Sequence, residues 1–187
     1  MVSLQSKILL SDKSRATFEN INDDSLVISS IYSPKELTPN VSDDRFDIDK
    51  LVLSIKKSTI EFDRENCNTI GYESTGLFSI DIESPKLRDD SGNLIESEII
   101  EDALRFTSNQ PILTKRGWCA MLPQSNTQPF ISFDEKKLEE GDEVFMSTDW
   151  AKIVKINFIY LEPTTEVYSL SIEDTGTYYA NGILIHE

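Results

Sequence analysis

Tyr178-Tyr179-Ala180-Asn181-Gly182-Ile183-Leu184-Ile185 decides the fold class. Asn-Gly between two β-prone runs is the preferred two-residue hairpin loop, because both residues tolerate the positive φ that such a loop requires. The same grammar recurs outward from it. Runs rich in β-branched and aromatic residues occupy Leu26 to Tyr32, Leu51 to Ile55, Thr59 to Phe62, Leu77 to Ile82, Phe130 to Phe133, Lys152 to Ile159 and Val167 to Ile172. In Leu77 to Ile82 the residues Phe78, Ile80 and Ile82 alternate with their neighbours, close to the period of two of a half-buried strand. Asp90-Ser91-Gly92-Asn93, Arg116-Gly117 and Glu140-Gly141-Asp142 supply turns. Helical spacing is confined to two short pieces, Glu98 to Leu104 and Asp134 to Leu138. An all-β chain forming one domain over residues 1–187 is expected.

Two further stretches bear on organisation. Residues 33–49 are polar, carry Pro34 and Pro39, and predict an exposed loop. Asp43, Asp44, Asp47 and Asp49 suggest a Ca²⁺ site, but the stretch lacks the glycine turn and distal Glu of a calcium loop, so a solvated acidic face is the reading adopted. There is also a faint repeat. Ile21-Asn22-Asp23-Asp24-Ser25-Leu26-Val27 and Leu138-Glu139-Glu140-Gly141-Asp142-Glu143-Val144 share an apolar residue, a polar turn and an apolar strand start.

Composition removes several chemistries. The 187 residues are 39% hydrophobic and 27% charged, enough to build one folded core. With 18 Lys and Arg against 33 Asp and Glu, the net charge is −15. Such a chain repels a nucleic-acid backbone, so no nucleic-acid partner is expected. His186 is the only histidine, which rules out a zinc site built on two or three imidazoles of one chain; no metal or cofactor is expected. Cys67 and Cys119 read as buried thiols, with a single long-range disulfide as the alternative. Residues 1–10 never build the apolar run of a signal peptide, and no stretch approaches the length of a membrane span. A soluble protein without membrane partners is the expectation.

The segment from Glu166 to His186, with its strand, short acidic turn, aromatic pair, Ala-Asn-Gly, aliphatic triplet and His, resembles the closing motif of Hint domains. These are the all-β self-processing modules of inteins and hedgehog-type proteins. Phe106-Thr107-Ser108-Asn109-Gln110-Pro111-Ile112-Leu113-Thr114 with Gly117-Trp118 resembles the family's Thr-x-x-His block, and Leu138 to Val144 the Gly-Asp turn that follows it. Lys7-Ile8-Leu9-Leu10-Ser11-Asp12 with Ile21 to Ser29 resembles the opening block. The resemblance spans the chain. It implies a horseshoe-shaped, pseudo-twofold β fold, which accounts for the repeat, and it implies that Met1, Thr107, Gln110 and His186 lie together.

What the resemblance implies chemically differs position by position. The family opens with attack by a Cys or Ser side chain on the preceding carbonyl. Here that position is Met1, which carries no nucleophile and has no residue before it in the sequence. The Thr-x-x-His block is Thr107 followed by Gln110, and Gln is no general acid near neutral pH. Ser169 stands at the family's Asp or Cys, Gly176 at its mid-motif His, and Glu187 at the terminal Asn whose cyclisation cuts the downstream bond. Only Thr107 and His186 keep family identity. Ser3 and Ser6 are poor displaced nucleophiles, because the shift that reaches them breaks the match at Ile8 and Leu9.

The seven positions Met1, Thr107, Gln110, Ser169, Gly176, His186 and Glu187 therefore read as vestiges of a site. The expectation is a catalytically inactive Hint-like module. Its partners are other proteins, in the manner of non-splicing relatives in bacteriophage virions (tail, neck or baseplate), and its place is the host cytoplasm or the assembled particle. The alternatives are an autoprocessing enzyme with cryptic activity, and a small-molecule binder using the cleft between Met1, Thr107, Gln110 and His186. Trp150 and Tyr160 mark either a partner surface or core.

Overall fold

The β-prone runs become strands throughout the described residues. The computed structural model describes residues 1–31, 46–61, 76–85, 91–92, 95–123, 125–128, 131–147, 149–159 and 164–187. Its strands are Val2–Ser3 (β1), Ile8–Leu9 (β2), Arg15–Ala16 (β3), Leu26–Ile31 (β4), Phe46–Glu61 (β5), Leu77–Glu83 (β6), Ile99–Thr107 (β7), Ile112–Thr114 (β8) and Gly117–Ala120 (β9). Ser125–Gln128 (β10), Ile131–Asp134 (β11), Lys136–Lys137 (β12), Glu143–Phe145 (β13), Trp150–Ile159 (β14), Thr164–Ile172 (β15), Thr177–Ala180 (β16) and Ile183–His186 (β17) follow. The described residues contain no α-helix, only a 3-10 turn at Phe18–Asn20. One sheet runs β3-β2-β16-β17-β8-β13-β14-β6-β7-β1-β15-β5-β4, with β9 beside β8 and β12 beside β9; β10 and β11 pair separately. A bridge between Leu10 and Val27 brings the two ends of that order together.

The β16–β17 hairpin lies at the centre. Asn181 and Gly182 take φ of 51° and 83°, the pair of positive angles that closes a tight two-residue loop. Tyr178, Tyr179, Ala180, Ile183, Leu184 and Ile185 are completely buried, so both faces of the hairpin pack. One face, with Tyr178, Ala180, Ile183 and Ile185, joins the main core. The other, with Tyr179 and Leu184, joins Leu113, Trp118 and Phe145 in a second cluster. This double burial explains why the segment reads as a continuous apolar run rather than an alternating one.

Each strand of the hairpin serves one half of the molecule. Ala180 pairs with Ile8 and Asn181 N donates to Lys7 O at 2.8 Å; Ile185 pairs with Ile112 and His186 N donates to Pro111 O at 3.1 Å. The halves repeat in detail. Ser25 N donates to Asn22 O while Asn22 N donates to Ser25 Oγ, and Asp142 N donates to Glu139 O while Glu139 N donates to Asp142 Oδ2. Next, Val52 N reaches Ser25 O as Ile153 N reaches Asp142 O. Leu53 and Val154, the following residues, are each the extra residue of a bulge, which is why two aliphatic side chains in long strands remain exposed. The equivalent strands β1 and β7 pair with each other at Val2 and Phe106, on the pseudo-axis.

Three expectations need correction. Residues 98–104 do not form a helix but belong largely to β7. Ile99, Ile100, Ala103 and Leu104 mimic helical spacing because a bulge at Asp102, with φ 52°, breaks the strand alternation. Residues 134–138 hold the end of β11 and the short β12 rather than a helix. The exposed loop expected over 33–49 ends earlier, because Phe46-Asp47-Ile48-Asp49 alternates and enters β5, paired to β4; the remainder of that stretch lies outside the described residues.

Asn181 also ties the hairpin to both halves through its side chain. Oδ1 accepts from Lys7 N at 2.8 Å and Nδ2 donates to Ala103 O at 2.9 Å. Asn181→Ala removes both bonds and places an Ala at positive φ; we expect a loss of about 3 kcal/mol, with Asn181→Gly recovering about 1 kcal/mol of it. Urea unfolding midpoints at constant m-value measure both.

Candidate functional site

Residue 1 enters the sheet where the halves meet. Val2 pairs with Phe106 of β7 on one side and Tyr168 of β15 on the other, and Thr107 N donates to Met1 O at 2.9 Å. The Met1 backbone nitrogen donates to Gln110 Oε1 at 2.5 Å and to Thr107 Oγ1 at 3.1 Å. An α-amino group at this position is pushed down to about 5 by burial. Thr107 Oγ1 in turn donates a hydrogen bond to Asn109 Oδ1 at 2.8 Å. Gln110 is held by a turn, Gln110 N donating to Thr107 O, and its side chain is used at both ends. Nε2 donates to His186 O at 2.6 Å and to Pro111 O at 3.0 Å. At 1% exposure the Gln110 amide lies inside the protein, where each of these bonds replaces one to water. Its oxygen can accept a hydrogen bond but has no proton to give.

The closing segment forms the other wall. Gly176 sits at φ 62°, and its carbonyl accepts Glu187 N at 2.8 Å. A side chain there would begin 3.2 Å from Cε1 and Nε2 of His186 and 3.3 Å from Cγ of Glu187. The His186 ring therefore occupies the space into which a residue-176 side chain would project. That ring is 4% exposed and lies edge-on to Trp118, with centroids 5.5 Å apart. Its Nδ1 is 3.0 Å from Glu187 O. Burial lowers its pKa, opposed more weakly by the Glu187 carbonyl and carboxylate.

The expected positions thus fall into two touching sets, Met1 with Thr107 and Gln110, and Gly176 with His186 and Glu187, joined by the bond from Gln110 to His186. Ser169 is buried on β15, and continuing the register by one residue from Val2 and Tyr168 brings it level with Met1. Ser3 and Ser6 lie in the equivalent turn of the other half, where Ser6 N donates to Ser3 O and the hydroxyls are 3.3 Å apart. Asn109 carries a bond to Thr107 that its sequence context left unassigned; a Thr-Ser-Asn turn was the available signal.

Other candidates lie elsewhere. Cys119 is a free, buried thiol raised by burial, 3.3 Å from Thr114 Oγ1; Cys67 lies outside the described residues. Asp47 bonds Ser30 and Tyr179, Asp49 is exposed on β5, and Asp43 and Asp44 lie outside the described residues. Among the described residues no three of His, Cys, Asp or Glu gather as a metal site, and no helix is long and apolar enough to cross a membrane. Trp150 is half-buried against Phe145, with Lys115 Nζ over its ring; Tyr160 lies outside the described residues.

No protein-family model and no curated protein matches the chain. Solved structures do. The bacterial intein-like domain from Clostridium thermocellum is similar at TM-score 0.59 and 17% identity, with 100% of this chain and 97% of that one covered. The gp41-1 intein is similar at 0.55 and 15%, covering 100% and 97%. A DnaB intein from Synechocystis sp. PCC 6803 gives 0.50 and 15%, covering 99% and 96%. The chain has a Hint/intein-like fold over its whole length, all β and pseudo-twofold.

Two measurements test the site geometry. Because burial holds the folded-state pKa of His186 below its ordinary value near 6.5, the neutral ring belongs to the native state. Above about pH 6.5 the group contributes no pH dependence; as pH falls below it, the unfolded chain takes up the proton first and stability drops. The urea midpoint should therefore fall more steeply between pH 6.5 and 5 in the parent than in His186→Gln. Gly176→Ala, strained in φ and crowding the His186 ring, should lower stability by about 2 kcal/mol in the same assay.

Proposed function

We propose that this chain is a Hint-fold domain without self-processing activity, serving as a structural or protein-interaction module. Its partners are other proteins, with bacteriophage virion subunits the class to which the resemblance points. The observation that carries the loss of activity is the Gln110 amide, bonded at one end to the Met1 nitrogen and at the other to the His186 carbonyl. Self-processing at residue 1 needs a nucleophile that attacks the preceding carbonyl and an acid that protonates the departing nitrogen. The Met1 thioether has no proton to lose, and the group that faces its nitrogen accepts hydrogen bonds without supplying a proton. A general acid contributes roughly 10²–10⁴ in rate, so its replacement alone slows such a step severely.

The closing step is disfavoured for separate reasons. Glu187 has one methylene more than Asn and cannot form the five-membered imide. His186 is buried against Trp118 and held below its ordinary pKa. What the same arrangement does well is hold the two halves together: Gln110 fastens residue 1 and β17 to the turn after β7 with bonds that no pH near neutrality disrupts.

A fusion carrying folded tags before residue 1 and after residue 187 tests this. Incubated for days with thiol or hydroxylamine, it should keep its full intact mass. A thiol-dependent break at residue 1, release of the downstream tag or a rejoined product of the two tags would overturn the proposal.

A further inference from the structure

Residues 99–102 of β7 are all exposed, whereas Leu104, Phe106 and Thr107 of the same strand are buried. Ile99 and Ile100 are 55% and 41% exposed, and Ile95, leading into the strand, is 50% exposed. One edge of this outer half pairs with β6, through Glu83 with Ile99 and Ile82 with Ile100. On the opposite edge, β1 covers β7 only at Phe106, and Asn181 caps Ala103 O. Beyond that cap, among the described residues, no strand pairs with the open edge. Two adjacent isoleucines beside an unpaired edge form a template for strand addition.

The charges around them select the occupant. Glu96, Glu98 and Glu101 are exposed, and Asp102 is engaged by Arg105. Along the strand the order is Glu98-Ile99-Ile100-Glu101, so alternation gives each face of the strand one isoleucine and one carboxylate. A second copy adding here would set carboxylates near carboxylates on chains of net charge −15 each, which disfavours self-pairing. A strand ordered basic, apolar, apolar, basic meets every position with its complement.

We propose that the outer half of β7 is a docking edge for an extended segment of a partner protein with that order of residues, which joins the sheet as an added strand. This deepens the reading of the chain as a protein-interaction module and rests on it. Backbone hydrogen bonds supply the attachment and the two flanking cations set its register.

The test uses a labelled peptide, Thr-Lys-Val-Val-Lys-Thr, with two controls: the reordered Thr-Val-Lys-Lys-Val-Thr and a version with Pro at the second Val. Anisotropy titration against the full chain should show binding of the first peptide at least about tenfold tighter than either control. Hydrogen exchange should slow at residues 98–102. The double variant Glu98→Lys, Glu101→Lys, with both changes on exposed side chains, should lose at least about tenfold in affinity while its unfolding midpoint stays near that of the parent. Equal binding of the reordered peptide, protection elsewhere on the molecule, or unchanged affinity of the double variant would overturn the proposal. So would a concentration-dependent dimer in sedimentation that the double variant abolishes, since the occupant would then be a second copy. The tagged fusion reports separately: it stays uncut whether or not the peptide binds.

Discussion

The hairpin at residues 177–186 is the constraint on which the rest depends. A strand pair buried on both faces must satisfy its outer backbone groups with other strands, and here β2 and β8 do so, one from each half. The register is fixed from two directions. The Asn181-Gly182 loop sets which residues of β16 and β17 face each other, and the two cores demand that Tyr178 and Tyr179 point to opposite sides. A one-residue slip would exchange the faces and place each tyrosine in the wrong cluster. With the hairpin fixed, both halves are docked against it in equivalent ways, and the pseudo-axis passes where β1 meets β7.

That symmetry creates the site and also shows how the two copies diverged. Ser3 to Ser6 and Thr107 to Gln110 form the same turn, each closed by a backbone bond from the fourth residue to the first. In one copy the fourth residue is short, and its hydroxyl stays with Ser3. In the other it is a long amide, which reaches the Met1 nitrogen in one direction and the His186 carbonyl in the other. A symmetric scaffold thus yields one asymmetric cradle. Its position on the axis explains how residues 1, 107, 110 and 186 meet although the chain separates them widely.

How much of this was legible follows the range of the interactions. The Asn-Gly loop and the Gly-Asp turn are local, so residue type alone announced them. The repeat was visible because both turns set polar residues between an apolar residue and an apolar strand start, and in each the fourth residue, Ser25 or Asp142, offers a side-chain oxygen to the backbone N–H of the first. The misread segments are those where a distant partner overrides local pattern. Residues 98–104 look helical until Asp102 is turned toward Asp81 and the strand bulges. Asp47 looked like part of an acidic loop, yet it bonds Ser30 and Tyr179 from within β5. The meeting of Met1, Thr107, Gln110 and His186 was legible only through the family resemblance. The bonds themselves, from Gln110 to the His186 carbonyl and from Asn181 to Ala103, join residues about 76 to 78 positions apart, and no spacing rule reaches that far.

The chemistry of residue 110 links the fold to the proposed absence of self-processing. A histidine working as an acid at this place must change protonation state during the reaction, so at some stage it bears a charge that a dry interior penalises. A glutamine there is neutral at every relevant pH and meets its neighbours with a fixed set of two donors and one carbonyl acceptor. The buried environment that would burden a titrating group strengthens these bonds instead. On the reading proposed above, a residue relieved of proton transfer is free to be one that stays fully bonded, as Gln110 does between Met1 and His186. Gly176 points the same way on the opposite wall. Its missing side chain leaves that space to the His186 ring, which packs edge-on to Trp118 and is held still there.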